Sequence, residues 1–124
     1  MELKDRLEKI EREVDPIRTK KGDLEAKVKI QQTRVKLVEK ISFNRAGDSG
    51  QKLAAEARRN YAAELLISYQ GEETNLVIEM QTLAEIEAEL ARVNAQWDSL
   101  QESRFILQSL LGFDKESLKF TAGV

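Results

Sequence analysis

The chain contains no cysteine and no histidine, a single proline, six glycines and few aromatics: one Trp, two Tyr and four Phe in 124 residues. Each shortage excludes something. Without cysteine there are no disulfides, which fits a reducing setting: the cytoplasm, or a virion or other assembly built inside a cell. Without histidine or cysteine, the usual ligands of zinc, haem and iron–sulfur centres are missing, together with the commonest general base. No enzymatic activity, catalytic residue, metal site or cofactor is therefore expected. The sequence has no apolar run of the ~18 residues that a bilayer-spanning helix needs. The opening MELKDRLEKIE is charged throughout and is not expected to act as a signal peptide. A net charge of −2 gives no global attraction toward nucleic acid or an anionic membrane.

What remains is charge and aliphatic periodicity. Charged residues make up 34% of the chain and hydrophobic ones 41%, a balance suited to long, surface-rich helices and thin for a round core. Leu3, Leu7, Ile10, Val14, Ile17, Leu24, Val28, Val35 and Val38 fall on one 3-4-3-4 ladder, whose polar rungs are Lys21 and Gln31. Apolar residues recurring every ~3.5 positions form one seam of a helix, and such a seam is buried against another helix. Residues 1–42 are thus expected to form helix 1, a coiled-coil strand. Asp15-Pro16 could instead cap a new helix, but the heptad phase passes through Pro16 unshifted, which favours one continuous, kinked helix.

Phe43 to Gly50 holds two Gly, an Asp and a Ser and is expected to be a loop, with Asp48 or Ser49 capping the second helix. Residues 51–111 are expected to form helix 2. Its second half carries another ladder: Leu83, Ile86, Leu90, Val93, Trp97, Leu100, Arg104, Leu107 and Leu111. Between 53 and 80 the same phase would put Arg58, Glu72 and Glu79 in the seam. The stripe is therefore expected to drift there, through Ala54, Ala57, Tyr61 and Leu65, with Gly71 as a hinge. Gly112 is placed to end the helix, with Phe113 folding back, which leaves 112–124 as a tail. Charge is unevenly shared: residues 1–41 carry 12 Lys/Arg against 9 Asp/Glu, and residues 51–111 carry 5 against 10. A basic helix followed by an acidic one suits pairing between the two.

Three motifs have simpler readings than the chemistry they resemble. Gly47-Asp48-Ser49-Gly50 has the GDSG pattern found around a serine-protease nucleophile, but that chemistry needs a histidine, so it is read as a turn. Glu79, Glu85, Glu87 and Glu89 read as a solvated helix face rather than as a cation site. The basic cluster from Lys20 to Lys40 lacks the aromatic partners of a nucleic-acid site and reads as a solvated or pairing face. Residues 103–113 are the most apolar stretch, and membrane docking through them is the minor alternative to burial in a helical bundle.

The expected architecture is all-α: a long antiparallel helical hairpin, or coiled coil, that oligomerises into a bundle. Folded back through a loop at 43–50, helix 1 would place Val38 near Leu53 to Ala55 and Leu3 near Leu90, leaving the rest of helix 2 without a partner. Val93, Trp97, Leu100, Arg104, Leu107, Leu110 and Leu111 are therefore expected to form a protein interface, because so large an apolar strip is rarely left bare. The covering partner is expected to be another copy or a helical protein, with no nucleic acid and no membrane. Function is expected to be structural: a stalk, spacer or scaffold subunit of a larger complex. The alternative is a chaperone-like or adaptor module that offers the apolar end of its hairpin to a client.

Overall fold

The computed structural model describes residues 2–48 and 55–122, with side chains described only to Gly112 in the last helix. It contains α1 (Leu3–Asp48), α2 (Ala55–Glu64), β1 (Ile67–Tyr69), β2 (Glu72–Thr74) and α3 (Leu76–Ala122). The fold is an all-α antiparallel helical hairpin in which α1 packs against α3. The chain divides into two compact units, Met1–Asp23 with Leu90–Val124, and Leu24–Glu89.

α1 is a single element of 46 residues with Pro16 inside it. Pro16 lacks the amide that would close on the Arg12 carbonyl, a defect the flanking seam contacts must offset. Every rung of the first ladder, Lys21 and Gln31 included, is buried or half-buried. The helix also runs past residue 42, into the segment expected to be a loop. The seam continues there through two small residues, Ser42 and Ala46, both fully buried. The apolar ladder fades at this point because its rungs become small residues, not because the helix stops. Of the expected loop, Ser49 and Gly50 lie outside the described residues, as do Leu53 and Ala54 at the expected start of helix 2.

Helix 2 is not continuous from 51 to 111. α2 is only 10 residues long, and a two-stranded antiparallel hairpin separates it from α3. Ile67 pairs with Thr74, Ser68 with Glu73 and Tyr69 with Glu72. The connecting residues Gln70 and Gly71 have φ of 51° and 83°. Positive φ at both central positions marks a type I′ turn, whose twist matches that of the paired strands. Gly71 is thus the second residue of a tight turn rather than a hinge within a helix. Asn75 then starts α3: its Oδ1 accepts from the Ile78 amide at 2.8 Å, an N-cap interaction.

α3 passes through Gly112 and continues to Ala122, so the expected tail is helical over most of its length. One interior glycine costs only about 1 kcal/mol, and the next stretch, DKESLKF, is built mainly of good helix formers. The expected fold-back of Phe113 concerns a side chain outside those described.

In the Leu24–Glu89 unit the core holds Leu24, Val38, Ala46, Ala62 and Ile67. In the other unit Val14, Val93 and Leu107 are the buried apolar residues. There Arg6, Lys9 and Ile10 of α1 share a groove with Ser103, Ile106 and Leu107 of α3. This corrects the expected register, in which the start of α1 lay beside Leu90. Residues 55–74 go into α2 and the β-hairpin, so α3 begins its antiparallel run later in sequence than one unbroken helix would.

Candidate functional site

The register decides where the expected interface residues lie. Val93 is 2% exposed and Leu107 8%, so both belong to the chain's own core rather than to an overhang. Trp97 is half-buried, with the Lys21 ammonium 5.4 Å and the Arg18 guanidinium 5.7 Å from its ring centroid. Two cations near an indole ring are favourable because the ring face carries partial negative charge. Leu100 forms the wall of a groove with Pro16 and Ile17. Arg104 and Leu111 are half-buried, and the Arg104 Nε is shielded from solvent with no hydrogen-bond partner. Of the seven, Leu110 is the one left exposed. Its neighbours Phe105 and Ile106, which the ladder did not select, are exposed as well, Phe105 to 70%.

The surface available to a partner is therefore the flank of the helix pair, not its seam. Two grooves succeed each other along that flank within the Met1–Asp23 and Leu90–Val124 unit. The first, about 670 Å³, lies between Arg12, Glu13, Pro16 and Ile17 of α1 and Ala95, Gln96, Ser99 and Leu100 of α3. The second, about 500 Å³, shares Glu13 and continues past Ile10 toward Ile106 and Leu107. Small residues on α3 (Ala95, Ser99, Ser103) leave space that larger side chains would fill. Two helices enclose their seam on only two sides, and such a flank is where a third helix packs in a bundle.

The Leu24–Glu89 unit has a different feature, a buried carboxylate where the run of glutamates from Glu79 to Glu89 predicts a solvated face. Glu79 is 5% exposed. The Gln31 Nε2 donates to its main-chain carbonyl at 2.9 Å and to its Oε2 at 2.7 Å. Arg34 Nε donates to the same Oε2 at 2.8 Å, and Thr74 Oγ1 donates to Oε1 at 2.8 Å. Burial pushes the Glu79 carboxyl up, but the hydrogen bonds from Gln31, Thr74 and Arg34, with the Arg34 charge, outweigh it and hold the pKa below the usual glutamate value. Arg34 also lies 4.8 Å from the Tyr69 ring centroid and 3.7 Å from a Glu72 carboxylate oxygen. One charge network thus fastens the β-hairpin and the start of α3 onto α1.

The signal was present in the ladder. Extended backward, the phase of the second seam falls on Glu79, and the polar rung of the first seam is Gln31. A polar residue in each seam was readable as a matched pair; it was hidden by the assumption that a carboxylate would not be buried. Arg58, also on that phase, takes another role. Its guanidinium stacks 4.1 Å from the Phe43 ring centroid and donates to the Phe43 carbonyl at 3.1 Å. A side chain at Gly47 would collide with it, so glycine makes room for this clasp between α2 and α1.

Among the described residues, no group of three or more His, Cys, Asp or Glu is placed to hold a metal ion. None of the helices, over the described residues, is long and apolar enough to cross a membrane. Comparison with known protein families, curated proteins and solved structures returns no match for this chain.

Proposed function

We propose that the protein is a structural or assembly component that acts by helix–helix association, as a stalk, spacer or scaffold subunit of a larger complex. The observation that supports this reading is the open flank of the α1–α3 pair. Two consecutive grooves run along it, with Ile106 exposed on the rim and Phe105 and Leu110 exposed nearby. Exposed apolar side chains also occur on the other unit, where Ile30 of α1 and Met80 of α3 face solvent. Apolar surface presented by paired helices drives bundle formation, and a partner helix that covers it gains burial at about 25 cal/mol per Å².

Size-exclusion chromatography with light scattering, combined with recovery of the chain from its native source, tests the reading. A structural subunit is expected to associate, either with further copies of itself or in a complex of reproducible composition. A chain found mainly as a free monomer that binds and releases varied clients would replace this reading with the chaperone-like one.

A further inference from the structure

The two flanks of the Met1–Asp23 and Leu90–Val124 unit carry opposite charge. At about 100° per residue, Arg6, Lys9 and Glu13 project to one side of the α1 seam, and Glu8, Glu11 and Asp15 to the other. On α3 the groove side carries Gln96, Ser99 and Ser103, with Arg92 one turn earlier. The opposite side carries Asn94, Asp98, Gln101 and Phe105. In an antiparallel pair, the like-signed rotations of both helices fall on the same flank. The groove flank is therefore net basic, with Arg6, Lys9 and Arg92 against Glu2 and Glu13, while Arg12 on the outer ridge lines both the groove and the pocket of Glu8, Glu11 and Asp15. The far flank is acidic, with Glu8, Glu11, Asp15, Asp98 and Glu102 against Lys4 and Arg18, and Arg18 already lies 3.5 Å from Asp15. Phe105, 70% exposed, stands out from the acidic flank.

Resting on the assembly reading, we infer that the occupant of the basic groove is the acidic flank of a second copy of this chain, with Phe105 as its apolar anchor. Charge complementarity selects that face. A two-fold arrangement of groove against groove would bring Arg6, Lys9 and Arg12 of both copies together, and like charges at an interface are costly. Groove against acidic flank pairs opposite charges along both helices. The exposed ring meets a cleft walled by Ile10, Pro16, Ile17, Leu100 and Ile106. The contact is heterologous: each copy uses one face to bind and leaves the other open, so copies add in series rather than closing as a dimer. The groove covers Arg6 to Ile17 on α1, roughly 18 Å at ~1.5 Å per residue. An interface so short is expected to assemble as concentration rises and to weaken with salt.

The test uses the full chain and two charge-reversed variants, R6E/K9E on the groove flank and E8K/E11K/D98K on the acidic flank. Sedimentation at about 50 mM salt is expected to show a wild-type mass that climbs with concentration, and at about 500 mM salt a mass near the monomer. Each variant alone is expected to associate at least ~10-fold more weakly. Mixed in equal amounts, they are expected to recover the concentration-dependent growth, because the reversed groove of one matches the reversed flank of the other. Phe105→Ser is expected to weaken growth while leaving helix content unchanged by circular dichroism. A fixed oligomer unaffected by all three substitution sets would overturn this inference and leave the assembly reading intact. A chain that stays monomeric at low salt and millimolar concentration also overturns it. Capture of varied clients by that monomer would remove the assembly reading too.

Discussion

Gln31 and Lys21 occupy equivalent polar rungs of one seam, yet their side chains meet different fates. Lys21 stays half-exposed over Trp97, whereas Gln31 is buried and directs both of its donated bonds to Glu79. Gln31→Leu fits the seam by shape but strips donors from a buried carboxylate. It is expected to lower stability by about 1–3 kcal/mol in urea unfolding, the cost of leaving a buried acceptor short of partners. Arg104 is the opposite case, a charged rung whose Nε is sheltered without an acceptor. Arg104→Leu is expected to raise the melting temperature, by about 1 kcal/mol in stability, because it removes a sheltered N–H left without an acceptor. Glu79 adds a pH dependence. Its folded pKa lies below its ordinary value, so its contribution is full above that ordinary value and is lost as pH falls through the depressed one. Thermal melts at stepwise lower pH are expected to show this acid loss in the wild type and a shallower one in Glu79→Gln.

The elements differ in how openly the sequence announces them. The two long helices were legible because nine of the eleven rungs of the first ladder are aliphatic, and the ladder from Leu83 to Leu111 is just as regular. The continuity of α1 through Pro16 was also readable, from the unshifted phase. Pro16→Ala restores the missing amide and is expected to raise stability by about 1–3 kcal/mol, seen as a higher denaturation midpoint with an unchanged slope. The β-hairpin was not legible, because its strands are three residues each and too short for alternation to stand out from helical spacing. Its one local clue was Gln70-Gly71, a pair that tolerates positive φ at only one residue without cost. Gly71 has φ +83°, and Gly71→Ala is expected to cost about 1–2 kcal/mol from backbone strain alone. Hydrogen exchange at the hairpin amides checks that the loss is local. The candidate site depended on these elements. The apolar richness of 93–111 was legible, but its owner was not. The β-hairpin and α2 take up residues 55–74, so α3 meets α1 later in sequence than unbroken periodicity implies, and Val93 and Leu107 fall in the core rather than on a surface.

For the whole molecule, the consequence of the Gln31–Glu79 contact reaches beyond stability into the order of events during folding. The partners are 48 residues apart in sequence. Helical segments form within about a microsecond, but this bond requires the chain between them to close on itself, an entropic cost met before the contact gives anything back. Until then Glu79 remains hydrated and has no reason to leave water. The polar junction is thus a late lock rather than a nucleus, set after the aliphatic ladders have aligned the helices. Substitutions there are expected to speed unfolding and leave refolding nearly unchanged, whereas truncating Val38 within the seam slows refolding. Stopped-flow chevrons of Gln31→Leu and Val38→Ala separate the two, and a refolding limb slowed as much by Gln31→Leu as by Val38→Ala would reverse the assignment. A lock set last is also the first to open. Transient partial opening of this protein is therefore expected to begin at the β-hairpin end of α3, while the aliphatic seam still holds.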